Sequence, residues 1–116
     1  MDNHVKEPLN WNDFNKVEMR IGTIISAELF KEAKKPAYKL FIDFGEFGIR
    51  KTSAQITKLY QPNDLIDKQI IAVTNFSPKQ IANIMSECLL LGGVGDDNEI
   101  TIIQPERPVK NGTRIG

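Results

Sequence analysis

The chain has 116 residues, 41% of them hydrophobic and 26% charged, and its 15 basic and 15 acidic side chains cancel. That size supports a single domain with a core of its own, and the neutral total argues against a nonspecific polyanion coat. No apolar run approaches the ~20 residues of a membrane helix.

The polar start "MDNHVKEPLNWNDF" has no apolar h-region, so no signal peptide is expected. Around Trp11 and Phe14 the pattern predicts one helical turn, with Asn10 or Asn12 as N-cap and both aromatics turned inward. "VEMRIGTIISAELF" reads as a long strand. Its apolar alternation breaks at Gly22, which predicts a bulge or bend there. "KEAKKPA" is a polar turn, and "YKLFIDFGEFGIRKTSAQI" a hairpin with Leu40, Ile42 and Phe44 on one face and "GEFG" at the turn. "ITKLY" reads as a helical turn, "QPND" as a loop and "QIIAVTNF" as a fourth strand. "SPKQIANIMS" is expected to be loop or short helix. "ECLLLGG" and "EITIIQP" form a last hairpin across "VGDDN", and the tail after it is extended or irregular. Five strands without a full-length helix predict an all-β fold, a five-stranded OB-fold barrel with short helical turns and N- and C-terminal extensions.

Catalytic readings find little support. His4 is the sole histidine and Cys88 the sole cysteine, so neither a nucleophile–base pair nor a zinc set can be assembled from them. The one cysteine excludes an intramolecular disulfide and fits a reducing, cytoplasmic setting, and its apolar run predicts a buried thiol. "GGVGDDNE" lacks the Lys-Ser/Thr ending of a phosphate loop and precedes a strand. A binding protein without cofactor or metal is expected, not an enzyme.

Charge is unevenly spread. Residues 31–58 carry seven cations (Lys31, Lys34, Lys35, Lys39, Arg50, Lys51 and Lys58) against three anions. Arg50 and Lys51 are adjacent on a strand, so they point to opposite faces. Lys39, Phe41 and Asp43 share the face opposite Leu40 and Ile42, a cation beside an aromatic ring. Single-stranded nucleic acid uses that pairing, charge for the backbone and a flat plate for a base. Phe41 serves equally well as a contact for loops or another subunit.

The ordered series "DFNKVEMRIGTI", "KEAKKPAYKL", "IDFG", "TSAQI", "NFSPKQIANIMSECLLLGG" and "QPERPVKNGTRIG" resembles the tRNA-binding-domain family. The likeness is greatest to its short stand-alone members, described as export-related chaperones. It spans residues 13–116, leaving residues 1–12 as a leader. The resemblance implies an OB barrel, a homodimer built through terminal extensions, and recognition of tRNA shape. It carries Arg20 and Gly22 onto the family's Arg-x-Gly, Ser53 onto the serine of its "SG" element, Asn75 and Pro78 onto its N-x-x-P turn, and Ser86 onto the serine opening the fifth strand. The sequence departs from the family with Glu18 for Asp, Ala54 for Gly, Asn83 for Gly and Cys88-Leu89 for Gly-Met. Asn83 is expected to carry a positive φ if that glycine position demands one.

The expected RNA-contact set is Arg20, Lys39, Phe41, Arg50, Lys51, Ser53, Gln55, Asn75, Lys79 and Ser86. Arg50 or Lys51 meets phosphates, Ser53 and Gln55 meet sugars or base edges, and Asn75 and Ser86 complete a polar rim. For Ser53, Asn75 and Ser86, turn-capping on local backbone is the alternative. The first function is binding of tRNA or structured RNA. The second is a peptide-binding export chaperone acting on unfolded proteins, implied by the stand-alone members and by the outer aromatics Phe41, Phe47 and Tyr60.

Overall fold

A computed structural model describes residues 6–116. His4 and the first part of the expected leader lie outside the described residues. Asn10 caps the first helix, α1 (Trp11–Asn15), its Oδ1 accepting the Asn12 N–H at 2.7 Å. Only half of the aromatic expectation survives: Phe14 is half-buried, but Trp11 is 80% exposed. One helical turn cannot bury two aromatics unless another element covers it, and none does among the described residues.

The barrel is built from β1 (Met19–Leu29), β2 (Tyr38–Asp43), β3 (Ile49–Ala54) and β4 (Gln69–Val73). A fifth strand, β7 (Leu89–Leu90), follows the hairpin β5 (Lys79–Ile81) and β6 (Ile84–Ser86). The strands are antiparallel in the order β3-β2-β1-β4-β7. β1 is long because it serves two neighbours: Met19–Thr23 pairs with β4 and Thr23–Leu29 with β2. The bulge lies between Ile24 and Ser26, not at Gly22. Gly22 breaks the apolar rhythm for another reason: it faces the core, where a Cβ would lie 2.7 Å from Ile42 Cγ2. The sheet closes where the Glu87 N–H donates to the Lys51 carbonyl (2.9 Å) and Thr52 Oγ1 donates to the Cys88 carbonyl (2.7 Å).

Ile24, Leu40, Ile42, Phe44 and Ile70 fill the interior. Leu65 joins them from α2 (Pro62–Leu65). "QPND" is therefore a helix start, not a loop. Pro62 stands in its first turn, where a missing N–H is harmless, and the Gln61 N–H is held by Asp64 Oδ2 at 2.8 Å. Gly45 and Gly48 take φ of 67° and 86° in the β2–β3 turn, which favours glycine. "SPKQIANIMS" is a β-hairpin rather than loop or helix, and its positive φ falls on Ala82 (49°) instead of Asn83. The last hairpin, β8 (Gly92–Val94) with β9 (Ile100–Ile102), forms across "VGDDN". The tail then returns to β1: the Gly112 N–H donates to the Ile21 carbonyl, the Ile21 N–H to the Thr113 carbonyl and the Ile115 N–H to the Met19 carbonyl. No helix among the described residues is long and apolar enough to cross a membrane.

Candidate nucleic-acid interface

Strand β3 divides its side chains sharply. Thr52 and Ala54 point into the barrel and are buried, while Lys51 and Ser53 lie on the outer face, directly across from Phe41 and Lys39 of β2. Thr52 is a polar residue in a core position, and its hydroxyl is used there. It donates to the Cys88 carbonyl and sits 2.9 Å from Ser86 Oγ, stitching β3 to β6 and β7.

Arg50 shares the inward face of Thr52 but sits at the strand's end, where its guanidinium donates to the Thr74 carbonyl. Lys51, by contrast, makes no ion pair among the described residues. Of the remaining cluster, Lys39 pairs with Glu28 at 3.2 Å and lies 5.7 Å from the centre of the Phe30 ring. Lys58 donates to the Asp97 carbonyl. The positive flank is thus narrower than seven cations suggest, and Lys31, Lys34, Lys35 and Lys51 remain unpaired among the described residues.

Two concavities flank this strip. A groove of about 400 Å³ runs between the loop that holds Lys34 and Lys35 and the β5–β6 hairpin. Ser53 lines it from β3, Gln55 from just past that strand, Gln80 from β5, and Glu32 is the carboxylate at its edge. A cleft of about 270 Å³ lies on the other side of the hairpin, between Phe76, Ser77, Lys79, Ser86, Cys88 and Leu89. Burial pushes the Cys88 thiol up to about 12, so it stays protonated and inert at neutral pH.

The other sequence-predicted residues sit elsewhere. Arg20 is largely buried: its Nε meets Glu18 Oε1 at 3.2 Å, one Nη donates to the Gly112 carbonyl at 2.8 Å, and the guanidinium covers the Phe47 ring. Asn75 accepts the Glu18 N–H at 2.9 Å and donates to the Lys16 carbonyl at 2.6 Å, tying the entry of β1 to the end of β4. Ser86 faces the Thr52 seam. Of the aromatics, Phe47 is occupied by Arg20, and the Tyr60 hydroxyl accepts the Ile102 N–H. Arg50, Lys51, Ser53, Gln55, Lys79 and Phe41 cluster around the hairpin and β3; Arg20 and Asn75 do not. Phe76 was missed. It is 59% exposed; the sequence pattern carries the fourth strand through it, but β4 ends at Val73, which leaves the ring in the turn "NFSP".

A family model described as "Putative tRNA binding domain" matches residues 19–114. The crystal structure of the chaperone CsaA from Bacillus anthracis str. Ames is 50% identical, with a TM-score of 0.91 over 95% of this chain and 100% of that one. The CsaA chaperone protein from Picrophilus torridus is 46% identical, with a TM-score of 0.88 over 94% of this chain and 100% of that one. The methionine–tRNA ligase of Methanococcoides burtonii is 36% identical over 110 residues, 95% of this chain and 16% of the ligase. The chain spans about a sixth of the curated ligases it matches.

Proposed function

Because the chain belongs to the tRNA-binding-domain family, we propose that it is a binding module, not an enzyme, that takes tRNA or another structured RNA along β3 and the groove beside it. The observation that carries this reading is the Lys51 ammonium. It stands on the barrel's outer face, across from Phe41, and makes no ion pair among the described residues, although the Lys51 backbone N–H donates to Glu87 Oε1 at 3.1 Å. Lys34, Lys35 and Lys79 extend the positive strip to both sides of the hairpin, where they meet phosphates. Ser53 and Gln55, at the floor of the groove, reach sugar hydroxyls or base edges. Arg50, Arg20, Asn75 and Ser86 act one step back: they hold β3, β1 and β4 in the register that presents Lys51 and Ser53. Lys39 stays with Glu28 and screens the strip's far end.

Four phosphates neutralised per chain give a log–log salt slope of roughly −3 to −4 on a duplex. Lys51→Glu with Lys79→Glu is expected to lower that slope by about two and to weaken binding at low salt. Both side chains lie outside the core, so the denaturation midpoint stays near that of the wild type. Fluorescence titration of labelled tRNA against salt makes the measurement. A wild-type affinity that ignores salt would overturn the proposal.

A second reading has its own support. The similar CsaA structures are described as chaperones, and Phe76 and Leu89 leave apolar surface open beside the cleft. Exposed apolar surface of that kind suits an unfolded or export-bound peptide. Peptide capture would be weakly salt-dependent and would survive the double charge reversal. The same exposure argument, applied to Leu9 and Trp11 at α1, supports a homodimer in which a second copy covers that helix.

A further inference from the structure

We infer that the cleft between Phe76 and Leu89 is a stacking site for one unpaired nucleobase of the bound RNA. This rests on the RNA reading of β3 and adds to it a preference for RNA with looped-out or single-stranded bases. The physical argument begins with position. Lys79 opens the β5–β6 hairpin, borders the cleft, and is paired in register with Ser86. Ser86 Oγ is 2.9 Å from Thr52 Oγ1, and Thr52 is the neighbour of Lys51 along β3. On the other strand edge the Lys51 carbonyl accepts the Glu87 N–H at 2.9 Å and Glu87 Oε1 accepts the Lys51 N–H at 3.1 Å, and Glu87 stands between the lining residues Ser86 and Cys88, so the cleft lies one strand over from the Lys51 backbone. A chain of phosphates lying on Lys51 and Lys79 delivers the bases between them to this opening.

Chemistry narrows the occupant. Phe76 is a flat, exposed ring that no side chain of the described residues covers with a cation or a second ring, unlike Phe47 and Phe30. The cleft wall is mostly apolar, with Leu89 and Cys88 on one side. Ser77 also lines it, and its hydroxyl makes no hydrogen bond among the described residues. A flat apolar plate, one unengaged hydroxyl and an adjacent unpaired ammonium fit a base, its edge and its phosphate. An aliphatic peptide side chain would use the plate and the wall but neither polar group. Base–aromatic stacking is worth about 1–3 kcal/mol per base, and it is sequence-tolerant because every base has a π-face.

The test uses two RNAs of equal length, a hairpin with an unpaired loop carrying 2-aminopurine and a fully paired duplex. Wild-type protein is expected to quench the 2-aminopurine and to bind the hairpin roughly 5- to 150-fold more tightly than the duplex, the range that stacking of one base allows. Phe76→Ala should abolish the quenching and the preference while leaving the duplex affinity and the salt slope unchanged, because phenylalanine releases no counterion. Phe76→Tyr, which keeps the plate, should restore both. Unchanged quenching in Phe76→Ala overturns the inference, as does an equal affinity of wild-type protein for hairpin and duplex. Loss of unfolded-peptide binding alone in Phe76→Ala would also overturn it and assign the cleft to peptides. If wild type binds neither RNA, the reading of β3 fails first, which is a different result from RNA binding without stacking.

Discussion

Gly22 illustrates how one residue can be misread from pattern and still be indispensable. It sits in the buried half of β1, and its missing side chain is what lets Ile42 and Phe44 pack across the barrel. A Cβ there would lie 2.7 Å from Ile42 Cγ2 and 2.8 Å from the Phe44 ring, both fully buried. Neither neighbour has an open direction to move in. Gly22→Ala is therefore expected to destabilise the fold by about 1–3 kcal/mol, the usual range for overpacking a filled core. Urea denaturation followed by tryptophan fluorescence or circular dichroism would measure it. An unchanged midpoint would mean that the core has slack these distances do not show. Thr52 is the complementary case, a polar residue in a core position that is tolerated because both of its hydrogen-bonding directions are satisfied across the seam.

The entry to β1 shows how elements are held together by a few charges. Glu18 accepts from Thr74 Oγ1 at 2.7 Å and from Arg20 Nε at 3.2 Å, and its N–H is held by Asn75. Arg20 in turn grips the Gly112 carbonyl of the tail. One carboxylate thus links β1, the end of β4 and the C-terminal segment. The Thr74 hydrogen bond, with Arg20 behind it, holds the Glu18 carboxyl below the usual carboxylate range. A depressed folded-state pKa contributes stability above the unfolded value, and that contribution disappears as pH falls through the folded one. Glu18→Gln is expected to be less stable than wild type at neutral pH, with the gap closing as pH falls through and below the ordinary carboxylate range. Because Glu18 is partly exposed, the effect is modest. Equal urea midpoints for the two proteins at neutral pH would show that the carboxylate's charge holds nothing in place.

Taken as a whole, the molecule is neutral yet unevenly dressed: unpaired lysines around β3 and the hairpin, and exposed apolar side chains at the start of α1. Trp11 is 80% exposed and Leu9 68%. Isolated apolar side chains on a surface are ordinary, but Trp11 at the start of α1 and Leu9 just before its cap form one exposed apolar pair, the kind of surface a second copy can cover. If α1 is covered by a second copy, size-exclusion chromatography with light scattering gives twice the 13.1 kDa chain mass. Trp11→Glu, which places a charge in that contact, should return the monomer mass with an unchanged circular dichroism spectrum. A monomeric wild type at micromolar concentration would remove the proposed dimer without touching the RNA reading.

Alternation and turn chemistry were enough to place the barrel strands, the "GEFG" turn and the final hairpin, since burial of one strand face repeats every second residue and glycine marks the positive φ of "GEFG"; in "VGDDN" that φ falls on Asp97 and Asn98 instead. The order of short motifs was enough to identify the family. Local pattern could not say which polar residues of β3 look inward. Thr52 and Ser53 are nearly alike as sequence, yet one seals the barrel and the other lines the groove. Nor could it say that Arg20, Asn75 and Ser86 spend their hydrogen bonds on the protein, because the partners that fix each of them across the fold (the Gly112 carbonyl, the Lys16 carbonyl and Thr52 Oγ1) lie 34 to 92 positions away along the chain. Phe76 stands exposed for the same reason: whether a ring is covered depends on what the fold brings over it, and pairings at that sequence distance exist only once the barrel has closed.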